Sequence, residues 1–337
     1  MKTDALSSGA TYGADLATRV ASLLEEGYPL THAHRDYCGM GLVFQGGHYC
    51  YSEIWDGLPL ELESLQTCGQ PWAQAFAQRE DFILWLAAQT DRSLSRLEAE
   101  DDFYHQNQTI HRQQLIEFVR QHESHPHIRL SRWSRLWQAI PAEGDGQGCF
   151  GGLVAAYSEE HRHYHNLRHL DECLTELDEV KSLAVHPVQL EVALWFHDAV
   201  YDSSGEMDNE GLSADMARDA LSEYGVADFF IRNVVCLIGL TRKHIPDATP
   251  DAALMCDIDL AILGKDETRF WAYEQAIRRE YAQVPAEDYR RGRSRVLESF
   301  LQRPQIYATS FFQERYEAQA RRNLQASLAR LATGEIP

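Results

Sequence analysis

Histidine and aspartate residues in the second half of this 337-residue chain occur in a pattern that suits a bound metal ion. His197 and Asp198 follow an almost entirely apolar run within residues 191–202, which predicts a helix buried in the middle of a bundle. A histidine and a carboxylate at the end of such a helix need a partner, because burying an unpaired charge is very costly. A divalent metal ion is one such partner.

Further ligands of the right chemical type lie before and after this pair. His169 falls in the first turn of a predicted helix, and Asp257 and Asp259 interrupt another apolar segment. One histidine, a His-Asp pair and a distant aspartate form a mixed nitrogen and oxygen set. Such a set suits Mn, Fe, Co, Ni or Zn better than an all-oxygen cage, as one or two ions, with Mg as the remaining alternative.

His165 is a candidate for proton transfer. Residues 157–170 contain four of the fifteen histidines of the chain. Asn166 is a good N-cap, so His165 and His169, four residues apart, can project on the same side at the entrance of a helix. Imidazole titrates near neutral pH, which suits a general acid. The alternative is a histidine that only bonds the backbone at the helix entrance.

Helices are the elements that must position these residues. Prolines and glycines divide the second half of the chain into helical segments, with a loop predicted in the glycine-rich residues 144–152 and no convincing strand run. Residues 131–332 are therefore predicted to form an all-α bundle. Its predicted helices cover 153–158, 166–180, 187–201, 208–223, 227–240, 252–263, 267–282, 286–301 and 310–331.

Residues 1–121 are predicted to form a small α+β domain. Two runs rich in aromatic and β-branched residues flank Gln45-Gly46-Gly47, which predicts a hairpin within residues 40–55. The predicted helices are 15–26, 79–89 and 109–119. A polar, histidine-rich stretch follows, and residues 122–130 are assigned to a linker. The fold class is thus mainly α, a helical bundle preceded by a small α+β domain.

The role predicted for this first domain is regulatory or partner-binding. His32, His34 and Cys38, with His48 and Cys50 on the hairpin, make a zinc site conceivable. Their spacing matches no standard zinc module, and free cysteines are often small core residues. Metal binding is therefore the lesser interpretation for this part of the chain.

Composition narrows the class of partner. A net charge of −20 argues against duplex nucleic acid, whereas a metal ion and a few arginines can still attract a small anionic substrate. No apolar run approaches the roughly 20 residues of a membrane span, and no signal-peptide core is present. Seven scattered cysteines, an odd number, are typical of reduced thiols, which predicts a cytoplasmic protein.

The order His169, His197-Asp198 and Asp259 resembles the H…HD…D signature of the HD-domain metal-dependent phosphohydrolases. Residues 164–169, Tyr-His-Asn-Leu-Arg-His, further resemble the YHNxxH segment of cyclic-nucleotide phosphodiesterases, a branch of that superfamily. The resemblance implies that His165 is the proton donor and that His169, His197, Asp198 and Asp259 are metal ligands. Asp259 is favoured over Asp257 because that branch has an Asp-Leu pair there.

The wider segment, from about 128 to 330, looks like a bacterial group of predicted HD phosphohydrolases, which implies an HD-type helical bundle. The shared motifs are His163-Tyr-His-Asn, Asn209-Glu210 with Ser213-Ala214, Ile238 with Thr241 and His244, Ile277-Arg278 with Glu280-Tyr281, and Tyr289-Arg290 with Gly292-Arg293.

The residues allow hydrolysis of a phosphomonoester or phosphodiester of a small metabolite or nucleotide by a metal-activated water. Asp198 would also bridge a second ion or orient the attacking water. Glu210, His244 and Asp257 are further candidates for a second metal or for substrate.

Two arginines are candidates for binding phosphate. Arg290 and Arg293 lie three apart on one predicted helix face, and ion pairs with acidic residues are the alternative for both. The rival function is a catalytically idle, metal-containing module that senses a nucleotide or binds a protein. A protein partner at the N-terminal domain and a homodimer are both compatible with the sequence.

Overall fold

A computed structural model describes residues 11–33, 38–55, 58–59, 62–68, 73–91, 93–94, 110–204 and 207–336. The chain divides into two compact units, Met1–Ser131 and Arg132–Pro337. The described residues confirm the predicted fold class, because the first unit combines helices with a small sheet and the second is helical. No helix in this described part is both long enough and apolar enough to cross a membrane.

The first unit contains a small antiparallel sheet. Its strands are β1 Leu30–Ala33, β2 Cys38–Gln45, β3 His48–Trp55, β4 Leu58–Pro59 and β5 Gln74–Phe76. They are ordered β1-β2-β3-β4, and β5 also pairs with β3. The helices are α1 Ala14–Glu25, α2 Leu62–Cys68, α3 Arg79–Ala87 and α4 Arg112–Glu123.

The predicted hairpin is confirmed. Gln45 pairs with His48 across Gly46 and Gly47, whose φ angles are +55° and +74°. Two consecutive positive φ values match a two-residue turn whose twist suits a hairpin, and glycine adopts them without steric cost.

The second unit is built from helices. Their bounds are α5 Leu130–Gln138, α6 Gln147–Tyr157, α7 Leu167–Val180, α8 Pro187–Phe196, α9 Asn209–Glu223, α10 Asp228–Leu240, α11 Pro250–Asp259, α12 Glu267–Glu280, α13 Ala286–Leu301, α14 Ser310–Phe312 and α15 Ala318–Ala332. Short 3₁₀ turns follow α7 and α11, and a π turn, Gln313–Glu317, leads into α15.

Helix α8 lies in the core of the second unit. Its last eight residues are buried, and the Trp195 ring meets Trp133 edge-on, with centroids 5.3 Å apart. The sequence predicted a helix to residue 201, but α8 ends at Phe196 and the backbone turns, with the Ala199 amide donating to the Phe196 carbonyl. His197 and Asp198 therefore lie at the C-terminal end of α8.

The predicted glycine-rich loop is partly wrong, because α6 already begins at Gln147. Phe150, Leu153 and Val154 on this helix are buried, and tertiary packing of such a face outweighs the low helix propensity of glycine. Residues 122–130, predicted as a linker, contain the end of α4 and the start of α5, and the boundary between units follows residue 131.

Replacing Gly146 with alanine should destabilise the second unit. Gly146 has φ +67°, and an added Cβ would lie 2.4 Å from the Trp137 ring. We expect a loss of about 1–3 kcal/mol in the free energy of unfolding, measured by urea titration with tryptophan fluorescence. Gly152→Ala is the matched control, since its Cβ meets no neighbouring atom within 4 Å and alanine there gains up to about 1 kcal/mol. Equal stabilities for the two variants would contradict this packing.

Candidate metal centre

Three helix ends bring two histidines and two aspartates together. His169 lies in the first turn of α7, His197 and Asp198 follow α8, and Asp259 ends α11. The His169 and His197 Nε2 atoms are 3.0 Å apart. Asp198 Oδ2 lies 3.3 and 3.2 Å from them, and Asp259 Oδ1 lies 3.2 and 3.6 Å from them.

These separations test whether the four donors fit one ion. Metal–ligand bonds of about 2.0–2.2 Å place neighbouring ligand atoms about 3.0–3.5 Å apart at tetrahedral or octahedral angles. Four of these five distances lie in that range and the fifth, 3.6 Å, is just above it, so the residues fit an ion held by two nitrogens and two oxygens.

Hydrogen bonding orients one of the imidazoles. His197 Nδ1 lies 2.8 Å from the Leu194 carbonyl oxygen, to which it donates. In the neutral ring, that bond leaves Nε2 as the unprotonated nitrogen, on the side of the carboxylates. Metal-bound histidines are commonly fixed in this way through their other ring nitrogen.

The electrostatics of the group also favour a cation. Burial works to lower the pKa of His169 and His197, but the neighbouring acidic groups raise both values well above the usual range. Burial works to raise the pKa of Asp198 and Asp259, and the histidines hold both well below their usual range. Two carboxylates thus stay charged in a buried place, and either protons or a metal ion must balance them.

Cys173 is a member of the cluster that the sequence did not single out. His169, Cys173, His197 and Asp259 offer ligand atoms that all lie within 4.8 Å of one another, and this buried group could hold a metal ion. Cys173 lies one helical turn after His169, a spacing that places both on one face of α7. Its Sγ is 3.8 Å from both nitrogens of the His169 ring. Asp198 is nearer to both imidazoles, so we favour Asp198 as the fourth donor.

Asp257 does not join the cluster. Its carboxylate accepts hydrogen bonds from the Ala308 amide, the Thr309 amide and the Thr309 hydroxyl, at 2.7, 2.8 and 2.7 Å. Residues two apart on a helix point in nearly opposite directions, so Asp259 faces the histidines while Asp257 anchors the start of α14. The sequence candidate Asp257 is therefore corrected to a structural role.

His165 is held by a buried carboxylate from a distant part of the chain. Glu280 Oε2 accepts from His165 Nδ1 at 2.8 Å and from the Tyr201 hydroxyl at 2.9 Å. Glu280 Oε1 accepts from the Tyr164 and His165 amides at 2.6 and 2.9 Å. Burial works to raise the pKa of Glu280, but these hydrogen bonds, led by the one from His165, lower it to about 2.

This arrangement leaves Nε2 as the remaining nitrogen of the His165 ring. The Tyr201 ring stacks on His165 with centroids 4.1 Å apart, which further restricts the imidazole. Glu280 belongs to a motif of the family resemblance, but its role as the partner of His165 was not predicted.

Arg162 links the segment that carries His165 to the turn that carries Asp198. Its guanidinium donates to the carbonyls of His165, Asp198 and Ala199 at 3.3, 2.5 and 2.9 Å. The side chain is almost completely buried and also pairs with Glu159 at 2.8 Å. No sequence pattern identified this arginine as a bridge, because its partners are backbone atoms rather than side chains.

A cleft of about 620 Å³ opens onto the cluster. His165, Asp198, Glu210, His244 and Asp259 line it. His244 Nε2 lies 2.8 Å from Asp259 Oδ2, whereas Asp259 Oδ1 is the oxygen near His169 and His197. The cleft thus joins a candidate proton donor, candidate metal ligands and open space of a size typical for small ligands.

The two arginines predicted to bind phosphate are not available for it. Arg290 pairs with Glu287 on the exposed side of α13, and the described lining of the cleft does not include it. Arg293 lines the cleft, but its guanidinium pairs with the buried Glu274 and donates to the Tyr273 hydroxyl at 2.8 Å. Ion pairs with glutamates account for the positions of both arginine side chains.

The described residues contain no second candidate metal group. In the N-terminal unit, His48 Nδ1 bonds the Gly46 carbonyl at 2.9 Å, and Cys50 is buried. His34 lies outside the described residues, as do the side chains of His32 and Cys38.

Comparison with known proteins found no match among family models, curated proteins or solved structures. The case for this site therefore depends on its geometry and on the sequence motifs.

Asparagine substitutions at Asp257 and Asp259, near the end of α11, should distinguish the residue that binds the ion from the one that stabilises the fold. Saturating Mn²⁺ or Zn²⁺ should raise the melting temperature of the wild-type protein, since 100 times the dissociation constant adds about 2.7 kcal/mol. We expect Asp259→Asn to lose most of this increase.

Asp257→Asn is the matched control, two residues away. It should lower the stability of the metal-free protein by about 1–3 kcal/mol, because an amide satisfies the three donors less well, yet keep the metal-induced increase. Differential scanning calorimetry with and without the ion gives both quantities. The opposite assignment of effects would show that Asp257 is the ligand.

Proposed function

We propose that this chain is a metal-dependent phosphohydrolase that cleaves a phosphomonoester or phosphodiester of a small metabolite or nucleotide. The observation that carries the proposal is a cleft that is lined by Asp198 and Asp259 of the four-donor cluster and by an oriented histidine. His169, His197, Asp198 and Asp259 offer the donors, and His165 lines the same cleft. The HD-type resemblance of the sequence supports the same reaction.

The donor set favours a transition ion, Mn, Fe, Co, Ni or Zn, because two of its atoms are imidazole nitrogens. When bound, such an ion supplies the Lewis acidity that activates water near neutral pH and polarises a phosphoryl oxygen. The two carboxylates hold the charge balance of the site, and Asp198, at its solvent side, can also orient the attacking water through a hydrogen bond.

His165 is suited to protonate the leaving oxygen. Glu280 remains ionised across the neutral pH range, because its pKa is about 2. A fixed carboxylate on Nδ1 sets the ring orientation, so that Nε2 is the nitrogen left to carry the proton to be transferred. Tyr201 and two backbone amides keep this carboxylate in place.

The organic part of the substrate would lie against an apolar wall of the cleft. Ile245 and Val296 line it with 62% and 45% of their surface exposed, and Phe300 lies on the same side. Exposed apolar side chains beside a polar floor are typical of small-molecule sites. Lys243 lines the same cleft and offers a positive charge to a phosphate.

The proposal is tested by hydrolysis of a panel of nucleotides, sugar phosphates and aryl phosphodiesters with added Mn²⁺, Co²⁺ or Zn²⁺. We expect release of phosphate or of the alcohol that chelation abolishes and fresh ion restores. The double variant His197→Ala, Asp198→Ala should be inactive, while Arg291→Ala, on the exposed side of α13, should match the wild type. Activity that survived both chelation and the double change would overturn the proposal. Tight ligand and ion binding without turnover would support the rival, an idle sensing module.

The role of His165 predicts a dependence on the leaving group. His165→Asn should lower kcat for an alkyl phosphate ester by about 10²–10⁴-fold, because its alkoxide leaves poorly without a proton. The same variant should lose much less on a p-nitrophenyl ester, whose phenolate needs no proton. Equal losses on both esters would contradict proton donation.

Glu280→Gln tests the carboxylate that faces His165. A neutral amide offers one acceptor oxygen where the carboxylate offers two, so it holds the His165 ring less firmly, and kcat for an alkyl ester should fall by up to about 10²-fold. The affinity for the metal ion should stay unchanged. An unchanged kcat, with folding intact by circular dichroism, would contradict this pairing.

A further inference from the structure

His244 has a backbone conformation that L-residues rarely adopt. Its φ is +48°, the only positive value at a non-glycine position in the described part of the chain. The residue follows α10, and its amide donates to the Leu240 carbonyl at 2.8 Å. Glycine or asparagine usually fills such a left-handed position at a helix end, and another residue costs about 1–2 kcal/mol there.

Arg303 binds the backbone carbonyl groups of His244 and of the residue before it. Its Nη1 donates to the His244 oxygen at 2.7 Å, and its Nη2 donates to the Lys243 oxygen at 2.8 Å. The guanidinium also lies over the Phe300 ring, 4.6 Å from the centroid. The planar fork of arginine matches two adjacent acceptors, which the single ammonium of lysine does not.

The strained turn places the imidazole of His244 against the metal cluster. Asp259 has two oxygens with different surroundings: Oδ2 is 2.8 Å from His244 Nε2, and Oδ1 is 3.2 Å from His169 Nε2. A hydrogen bond from His244 to Oδ2 therefore leaves Oδ1 as the oxygen directed to the ion. Partners that orient ligands in this way commonly change metal affinity by 10–100-fold.

We propose that Arg303 is a positioning residue for the metal centre, acting through the turn at residues 243–244. It stabilises the left-handed conformation of His244, which in turn orients the Asp259 carboxylate. The inference rests on the metal centre of the proposed function, and it assigns Arg303 no contact with the reacting atoms.

The test is a double-mutant cycle on the affinity for Co²⁺ or Zn²⁺, measured by calorimetry on the full chain at one pH. Glycine at position 244 accommodates the positive φ, so His244→Gly removes the imidazole and keeps the turn. We expect His244→Gly and Arg303→Ala each to weaken ion binding by about tenfold or more. The double variant should bind no more weakly than His244→Gly alone, because Arg303 acts through His244.

Two further variants distinguish a positioning role of Arg303 from a simple loss of positive charge or of folding. Arg303→Lys should bind the ion with intermediate affinity, since an ammonium can donate to one of the two carbonyls. Arg291→Ala removes an exposed positive charge and should leave the affinity unchanged. Melting temperatures of the metal-free proteins show which variants fold.

The outcomes distinguish this inference from the proposed function. A folded Arg303→Ala protein with wild-type affinity, or losses that add in the double variant, would overturn the positioning role alone. Failure of the wild-type protein to bind any of the ions would overturn the metal centre and this inference with it.

Discussion

The candidate site depends on one electrostatic constraint: two imidazoles and two carboxylates converge at three helix ends, one of them the end of the buried helix α8. Asp198 and Asp259 keep their charge because His169 and His197 lie within hydrogen-bonding reach. Such a group is costly to bury and is stable only with a cation at its centre or protons on the histidines. The surrounding residues make the arrangement specific, since His165, Arg162 and His244 each have fixed partners.

The sequence predicted the four residues that the structure brings together, but not the framework that supports them. His197 and Asp198 could be chosen because they follow a largely apolar run, and His169 and Asp259 because they complete the order of the HD-type motif. Glu280 could not be paired with His165 in advance, because 115 residues separate them and no local pattern links them. The sequence also does not reveal that Arg162 and Arg303 bind backbone carbonyl groups, because every residue carries such a group and no residue type marks the ones that are bound.

Local patterns succeeded where local forces decide the structure. The hairpin followed from two glycines between alternating apolar runs, and α8 followed from an apolar stretch that begins at Pro187. They failed for α6, where long-range packing of Phe150 and Leu153 outweighs glycine propensity. The choice of Asp259 over Asp257 came from the family resemblance. Its physical reason is that Asp257 accepts from the amides of Ala308 and Thr309, a distant segment that the sequence does not reveal.

The guanidinium of Arg162 connects two segments of the site and restricts their relative movement. It binds one carbonyl in the segment that carries His165 and two in the turn that carries Asp198. A planar, rigid group with several anchored donors keeps these segments from shifting independently. The proposed function places its proton donor in one of these segments and a metal ligand in the other. One buried side chain therefore helps to fix the distance between the two groups that the proposal needs.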